Sequence, residues 1–333
     1  MEIKPTSYKL ENCATGRQFQ DATGWMLADP EHKDPALVRA VYEKKQIEFK
    51  DNSYGIYKFA DWMPIQRMLE GSCAPVTYKS EALAKELGLE KVGFSANAVV
   101  LLFPYFVEGE EGNLSMYARG IDYHRVAEDK LKKLEAFLLT LGATETLIHA
   151  DKGTLDDRKA AYDAGLGFPG KNGMLICREY GSYFFIGQVV HNLKIDADKP
   201  LTESCLYCGA CVKNCPGGAL NGDGFRVDKC LSEISQKRGE LSDHEQKLLK
   251  SNGLCWGCDV CQAVCPHNKN LPTTAMPEFL DRRITHLSPE DVAELSNREF
   301  KEKFGEYAFS WRGKGVLERN LKILFSQQEE INE

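Results

Sequence analysis

Apolar and polar positions follow one another in a pattern that predicts strands and helices in turn from about residue 96 onward. The segment 98–106 (AVVLLFPYF) is continuously apolar, which is typical of a buried strand. Residues 122–142 place apolar side chains on one face at helical spacing, and a glycine ends the predicted helix. A strand is predicted at 146–151, a helix at about 155–164 and a strand at 181–190. This alternation predicts an α/β or α+β layer structure.

Helical patterns also occur on both sides of this central region. On the N-terminal side, residues 35–48 and 80–89 have apolar positions at helical spacing. On the C-terminal side, helices are predicted around 288–295 and 297–304, whereas 270–279 (NLPTTAMPEF) is predicted to be a loop. No internal repeat is visible apart from two cysteine motifs described below.

The overall composition limits the classes of protein to consider. A chain of 333 residues with 43% hydrophobic and 27% charged residues is long enough for two or three globular domains. A formal net charge of −7 argues against non-specific coating of nucleic acid, although it permits a local basic patch. The longest apolar run has ten residues and contains Pro104, which is too short to cross a bilayer. With no apolar signal segment at the N-terminus, we expect a cytoplasmic protein without a membrane partner.

Two cysteine motifs dominate the chemistry of the sequence. The first, at 205–216, is CLYCGACVKNCP, and the second, at 255–266, is CWGCDVCQAVCP. Each has the C-x2-C-x2-C-x3-C-P spacing of a bacterial-type ferredoxin, in which three cysteines bind one cluster and the fourth binds the other. A lone C-x2-C also occurs in zinc ribbons and redox dithiols, but two complete copies favour two [4Fe–4S] clusters over zinc or disulfides. Such ligands must be reduced, which agrees with a reducing compartment.

The spacing leaves one ligand open. Two clusters need eight thiolates, and nine cysteines lie in or between the motifs. The second cluster takes Cys215, Cys258 and Cys261, together with either Cys255 or Cys230. The spacing of the second motif favours Cys255, which is its first cysteine, whereas the sequence context described below favours Cys230. The first cluster takes three cysteines of the first motif and the last of the second: Cys205, Cys208, Cys211 and Cys265.

The N-terminal segment 35–94 resembles the N-terminal part of cysteate synthase and its threonine-synthase relatives. The resemblance is clearest over 55–94 (GIYKFADWMPIQRMLEGSCAPVTYKSEALAKELGLEKVGF). Those relatives are pyridoxal-phosphate enzymes, but their cofactor-binding lysine lies beyond this segment and nothing after Phe94 resembles its setting. We therefore expect no pyridoxal phosphate, and we interpret Lys79 as a surface lysine.

The region from about 97 to 325 resembles epoxyqueuosine reductase, the cobalamin-dependent iron–sulfur enzyme that completes queuosine on transfer RNA. The resemblance lies in YARGIDYH (117–124), in Asp151 and Arg158 at D-x6-R spacing, in AGLGFPGKN (164–172) and in GSYFFIG (181–187). It continues in the segments VDKCLSEISQKRG (227–239), GCDVCQAVCPHNK (257–269) and EFKEKFGEYAFSWRGKGVLERNLKIL (299–324). The 227–239 segment carries an extra cluster ligand in that family, and for this reason we favour Cys230 over Cys255.

This resemblance implies a reductase in which an external donor of the flavodoxin or ferredoxin type passes electrons through the clusters to cobalamin. It implies that Asp151 is the general acid, because the oxygen that leaves an epoxide must be protonated. Transfer RNA is the implied partner, although the family's C-terminal helical repeats have no counterpart here. The family has Trp-Ile where this sequence has Phe168 and Pro169. The implied cofactor-binding residues are Tyr123, His124, Arg158, Gly165, Gly167, Gly170, Lys171 and Asn172.

Each of these features also has a structural interpretation. Asp151 could cap the helix that follows it, and His124 could be an ordinary histidine at a helix start. The glycine-rich loop could be only a turn, or it could allow close approach of a corrin or phosphate. A basic set near the C-terminus could be a solvated face or a contact surface for RNA phosphates: Arg312, Lys314, Arg319 and Lys322.

We therefore predict an α+β fold, in which an α/β-layered cobalamin-type domain precedes a bacterial ferredoxin-like domain with two [4Fe–4S] clusters. The leading functional hypothesis is a reductase of the epoxyqueuosine-reductase type. The alternatives are a two-cluster electron-transfer protein without its own substrate, and an inactive fusion that serves as a binding partner. The predicted units are a cysteate-synthase-like segment at 1–95, a catalytic domain at 96–200, a ferredoxin-like domain at 201–275 and a helical tail at 276–333.

Overall fold

The computed structural model describes residues 73–75, 97–140, 142–151, 155–192, 198–221 and 224–326. The predicted helices at 35–48 and 80–89 lie outside these residues, as do Lys79 and nearly all of the segment that resembles cysteate synthase. Those interpretations therefore remain predictions.

A four-stranded sheet forms the first layer of the fold. Its strands are β1 (Cys73–Pro75), β2 (Asn97–Pro104), β3 (Thr146–His149) and, after two short strands, β6 (Phe184–His191). The order is β1-β2-β6-β3, and every pairing is antiparallel. Strand β6 is therefore central, paired along its whole length with β2 and at its end with β3. The predicted strands are confirmed, and the mixed helix-and-sheet architecture is α+β.

Helices cover both faces of this sheet. Helix α1 (Tyr123–Thr140) packs on the face that carries Val99, Leu101 and Phe103, because its apolar side chains recur every three to four residues. Helix α2 (Asp157–Asp163) packs on the opposite face with Val100 and Leu102. Alternate residues of β2 thus enter different cores, which explains why the strand is continuously apolar in sequence.

Between α2 and β6, the glycine-rich segment forms a small antiparallel hairpin. Its strands are β4 (Phe168–Pro169) and β5 (Leu175–Ile176), which pair through Phe168 and Ile176. Tight packing requires glycine here, since a Cβ on Gly167 would lie 2.6 Å from the Ile176 carbonyl oxygen. Gly165 has φ +69°, a conformation that glycine adopts without strain.

The cysteine-rich layer is built around two short helices that follow equivalent positions of the two motifs. These are α3 (Ala210–Lys213) and α6 (Val260–Ala263). Between them lie a two-residue hairpin of β7 (Leu220–Asn221) and β8 (Gly224–Phe225) and two helices that the sequence patterns did not predict. Those helices are α4 (Leu231–Gln236) and α5 (Asp243–Asn252).

The C-terminal helices pack onto both preceding layers. They are α7 (Pro277–Leu280), α8 (Glu290–Ala293), α9 (Asn297–Phe304) and α10 (Lys314–Phe325). Helix α9 has the predicted bounds and a capping box formed by Ser296 and Glu299. The prediction of a loop over 270–279 is wrong at its end, because Pro277 occupies the first turn of α7, where its fixed φ suits a helix.

One apolar core joins these layers. It contains Leu114 from the sheet side, Trp256 from the second cysteine motif and Leu317 from α10, all fully buried. No helix in the described part of the chain is long and apolar enough to cross a membrane.

Candidate functional site

The first group of cysteines surrounds a single cavity. Cys205, Cys208, Cys211 and the remote Cys265 all line it, as the motif spacing predicts. The chain turns inside the first motif at Gly209, whose φ of +76° precedes helix α3. This turn lets three thiols from one short loop face the same centre. Cys208 is exposed, so this group lies at the protein surface.

The second group lies deeper and contains Cys215, Cys230, Cys258 and Cys261. Burial raises the pKa of Cys261 to about 12, and the neighbouring Cys258, Cys230 and Cys215 thiols raise it further in that order. Burial likewise raises the pKa of Cys258 to about 11, with Cys230 and Cys215 among its neighbours. Cys258 and Cys261 thus resist ionisation on their own, and bound iron would reverse that preference by supplying positive charge. The donor set therefore fits a [4Fe–4S] cluster.

Cys255 has a different environment from the other cysteines of its motif. It is fully buried in the apolar core beside Trp256 and Leu114, and burial raises its pKa to about 12. Its backbone is fixed by Asn113 and Asn320, which bond its N–H and its carbonyl at 2.8 Å each. The structure thus brings Cys230, not Cys255, to the other three thiols of the second group.

A cubane binds each thiolate at a different iron, so its ligands surround a volume and need not converge on one point. Among the described residues, no three His, Cys, Asp or Glu side chains are arranged to hold a single metal ion.

A separate cleft of about 500 Å³ contains Asp151. Asp151 follows the end of β3, its side chain is 61% exposed, and its backbone has a φ of +60°. The Tyr123 hydroxyl donates a hydrogen bond of 2.6 Å to Asp151 Oδ2, and His124 Nε2 lies 3.5 Å from the same oxygen. On its other side, His124 Nδ1 lies 2.8 Å from Asp122 Oδ1. The cleft thus contains a carboxylate–imidazole–carboxylate series that ends at Asp151.

Tyr123 is a neutral hydrogen-bond donor in this cleft. Burial raises its pKa well above the ordinary value, and the hydrogen bond and negative charge of Asp151 raise it further. Its ring is fixed between Phe185 at 4.0 Å and His124 at 4.1 Å, measured between ring centroids. The phenol therefore orients the Asp151 carboxylate from a rigid position at the start of α1.

Part of the cleft wall comes from the cysteine-rich and C-terminal layers. Trp311 Nε1 donates to Gln236 Oε1 at 2.9 Å, and the Gln236 amide reaches the Tyr117 hydroxyl at 3.4 Å. Trp311 is 55% exposed, and the Arg312 guanidinium lies 3.6 Å from its ring. Sequence reasoning did not single out Gln236 or Trp311. The sequence signal that could have identified Trp311 is the adjacent Trp–Arg pair, since such pairs often stack on flat rings.

Tyr117 connects the cleft to the second cysteine group. Its hydroxyl accepts from Trp256 Nε1 at 3.0 Å, and burial, followed by more distant charges that include Cys230, raises its pKa above the ordinary value. The turn that carries Tyr117 is held by Asp259, which lies between two cysteines of the second motif. Asp259 accepts from the Ser115 hydroxyl at 2.5 Å and from the Met116 N–H at 2.7 Å. The cleft and the second group therefore share a wall.

The other predicted cofactor-binding residues are not among those that line the Asp151 cleft. Lys171 and Asn172 line the cavity of the first cysteine group, and Asn172 Nδ2 donates to the Cys261 carbonyl at 3.3 Å. Arg158 Nη1 donates to the Gly173 carbonyl at 2.7 Å. A Cβ added to Gly165 or Gly170 would lie within 2.6 Å of another protein atom, as it would on Gly167. The chain itself makes these close contacts, and a cofactor-binding role for these residues remains a prediction.

The basic residues near the C-terminus mostly bind other protein groups. Lys314 Nζ donates to the carbonyls of Ala293 and Leu295, and Lys322 pairs with Glu318. Arg319 donates to the carbonyls of Lys237 and Gly239. These contacts favour a structural role for three of the four residues over a surface for RNA phosphates.

Two family models match the chain. Residues 95–151 match the model described as Epoxyqueuosine reductase QueG, and residues 204–268 match the 4Fe-4S double cluster binding domain. Among curated proteins, the epoxyqueuosine reductase of Lactococcus garvieae is 41% identical over 221 residues, which are 66% of this chain and 62% of that relative. The one from Leadbetterella byssophila is 32% identical over 255 residues, which are 75% of this chain and 84% of that relative.

Solved structures of epoxyqueuosine reductases also resemble this chain. A crystal structure of epoxyqueuosine reductase with a tRNA-Tyr epoxyqueuosine-modified stem loop has a TM-score of 0.62 and 29% identity, and the match covers 76% of each chain. The enzyme from Streptococcus thermophilus has a TM-score of 0.61 and 30% identity, covering 79% of this chain and 80% of the other. The chain spans 62% and 56% of the length of two of the curated relatives, from Lactococcus garvieae and Listeria monocytogenes.

Proposed function

The chain belongs to the epoxyqueuosine reductase family, and on that premise we propose that it reduces epoxyqueuosine in tRNA to queuosine, or reduces a closely related substrate. The observation that carries this proposal is the position of Asp151. It lies in a cleft that shares the Tyr117 wall with a group of four cysteines, so a proton donor and an electron source adjoin one substrate-sized space. A protein that only transfers electrons has no use for an oriented carboxylate beside its clusters.

The 204–268 region is a domain that binds two [4Fe–4S] clusters. We assign the first cluster to Cys205, Cys208, Cys211 and Cys265, and the second to Cys215, Cys230, Cys258 and Cys261. Because Cys208 is exposed, electrons enter at the first cluster, and they leave toward the cleft from the deeper second cluster. Leu206 and Tyr207, 63% and 68% exposed beside the first cluster, offer a contact surface to an external donor.

The family is cobalamin-dependent. The residues of the cleft fit such a group, because Trp311, Tyr117 and Tyr123 provide aromatic walls and the second cluster adjoins them. When bound, cobalamin supplies a metal centre that can deliver electrons to carbon. The chain's own residues would hold it against those walls and limit access of water.

The proton chemistry is assigned to residues of this chain. Asp151 protonates the departing epoxide oxygen, since an alkoxide is a poor leaving group. Tyr123 orients the carboxyl through its 2.6 Å hydrogen bond. His124, aligned by Asp122 at 2.8 Å, returns a proton to Asp151 after each proton transfer. Removal of the epoxide oxygen breaks both of its C–O bonds, leaves a carbon–carbon double bond and releases water. Each turnover therefore consumes two electrons from the external donor, delivered through the clusters, and two protons, which Asp151 delivers one after the other and which enter along the His124 side of the cleft.

Recognition of RNA is assigned to Trp311 at the rim of the cleft. Proteins that bind loop nucleotides commonly stack bases on aromatic rings. The Trp311 ring is exposed enough for such contact. Its Nε1 is held by Gln236, and the Arg312 guanidinium lies against the ring. A relative solved with a modified tRNA stem loop supports RNA as the substrate class.

The proposal is tested with the full chain, reconstituted anaerobically with iron, sulfide and cobalamin. We expect absorption from both iron–sulfur clusters and corrin, and conversion of an epoxyqueuosine stem loop when a low-potential reductant is added. Iron–sulfur absorption without corrin binding or turnover would instead favour the two-cluster electron-transfer protein.

A further inference from the structure

We propose that Asp157 is a positioning residue that holds the backbone of Asp151 in its cleft-facing conformation. This inference rests on the proposed role of Asp151 as the acid, although the contact on which it depends is a property of the fold. Asp157 is the first residue of α2 and is only 8% exposed.

The Asp157 carboxylate has three hydrogen-bond donors. Its Oδ2 accepts from the Asp151 backbone N–H at 2.9 Å. Its Oδ1 accepts from His149 Nδ1 at 2.9 Å and from Gln188 Nε2 at 2.6 Å. Both of these donors are also buried, at 7% and 1% exposure. A carboxylate removed from water is costly unless its oxygens are bonded, and this one is bonded on both.

The two donors on Oδ1 fix Asp157 to the sheet. His149 is the last residue of β3, and it pairs directly with Gln188 on the central strand β6. Side chains of directly paired residues lie on the same face of a sheet, so both can reach one carboxylate from α2. Asp157 therefore connects the rigid sheet to the loop that carries Asp151.

Helix capping does not explain Asp157. The N-cap of α2 is Asp156, whose Oδ1 accepts from the Lys159 N–H at 3.0 Å. The interpretation of Asp151 as the cap is also wrong, since Asp156 has that role. Asp157 Oδ2 instead accepts from the Asp151 N–H, which is not part of a helix.

The conformation of Asp151 explains why it needs such a contact. A φ of +60° is unfavourable in a residue other than glycine, and such residues persist where the surroundings hold them. The bond from Asp157 to the Asp151 N–H is a contact that offsets this cost. Without it we expect the Asp151 backbone to relax and its carboxyl to leave the Tyr123 hydroxyl.

The direct test is amide hydrogen exchange at residue 151 in the reconstituted full chain. We expect Asp157→Ala to accelerate this exchange by about tenfold or more, because opening of a backbone N–H is limited by its hydrogen bond. Asp156→Ala is the matched control, since it removes the cap of the same helix and leaves the Asp151 bond untouched. It should accelerate exchange at Lys159 and not at Asp151.

Asp157→Asn keeps the volume of the side chain and one carbonyl acceptor, and it serves if the alanine variant does not fold. In turnover of the stem loop, we expect Asp157→Asn to lower kcat by about tenfold with KM unchanged, whereas Asp156→Ala retains the wild-type kcat. Unchanged exchange at Asp151 in both Asp157 variants, or equal acceleration in Asp156→Ala, would overturn the inference. If the wild-type chain shows no turnover, the proposed function fails while the exchange result still decides the role of Asp157.

Discussion

The cysteine groups and the Asp151 cleft are built by the chain in opposite ways. The eight proposed cluster ligands lie between positions 205 and 265, and seven of them belong to two copies of one short motif. The cleft gathers Tyr117, Tyr123, Asp151, Gln236 and Trp311 from separate segments across all three layers. A local motif depends mainly on loop geometry, whereas the cleft exists only when the layers pack correctly. We therefore expect damage in the first region to remove a cluster, and damage in the second to impair substrate binding or proton transfer while both clusters remain.

The largest effect is expected from a matched pair of cysteine variants. Cys230→Ser should abolish one cluster and so remove about half of the bound iron, since it deletes one of four thiolates. Cys255→Ser should retain both clusters and instead destabilise the fold by about 1–3 kcal/mol, because it places a hydroxyl in an apolar core. Iron content and electron paramagnetic resonance of the reduced proteins distinguish the two. Loss of a cluster in Cys255→Ser with both retained in Cys230→Ser would reverse the assignment.

A change at the rim of the cleft should affect RNA binding without affecting the clusters. Trp311→Ala should weaken binding of an anticodon stem loop by about 10- to 100-fold, as expected for loss of a stacked base. Trp311→Phe should retain most of the affinity, because it keeps a flat ring. Phe225→Ala is the control, since Phe225 is 54% exposed on β8 and lies outside the cleft. Equal effects of the Trp311→Ala and Phe225→Ala changes would show that the rim has no special role.

The sheet layer should also respond to pH through a buried histidine. Burial lowers the pKa of His191 to about 4 in the folded chain, from an ordinary value near 6.5. The unfolded chain therefore binds the proton more readily, and stability falls as the pH drops through the window between about 6.5 and 4. From pH 7 to 5 the loss is about 2 kcal/mol. Denaturant unfolding at both pH values measures it, with cluster absorbance followed in parallel.

His191→Gln is the control for this pH dependence, since glutamine does not titrate in the range. The variant should lose most of the difference in unfolding free energy between the two pH values. An unchanged difference would assign the dependence to another group.

The smallest expected effect concerns the orientation of Asp151. Tyr123→Phe keeps the ring stacked between Phe185 and His124 and removes only the hydroxyl that donates to Asp151. We expect kcat to fall by roughly 3- to 15-fold, the value of a single hydrogen bond, with stem-loop affinity unchanged. A loss of affinity equal to the loss of kcat would mean that Tyr123 contacts substrate directly.

The same contrast explains what could be predicted from the sequence. The strands and α1 follow from local periodicity, and the cluster motifs follow from spacing. Residue 230 could be favoured only through resemblance, because its approach to Cys258 and Cys261 depends on α4, which no local pattern predicted. Gln236 and Trp311 are 75 positions apart in the sequence, and a contact at that separation cannot be predicted from local patterns. The helix at Pro277 was missed because proline signals both loops and helix starts.

The central claim is that the clusters carry electrons and Asp151 performs the acid chemistry. The most direct measurement is a single turnover of Asp151→Asn, reconstituted with clusters and cobalamin, prereduced and mixed with the epoxyqueuosine stem loop. We predict that both chromophores bind and reduce as in the wild type, while queuosine forms about 100- to 10,000-fold more slowly. Product formation at the wild-type rate would contradict the assignment of the acid, and with it the account of the cleft.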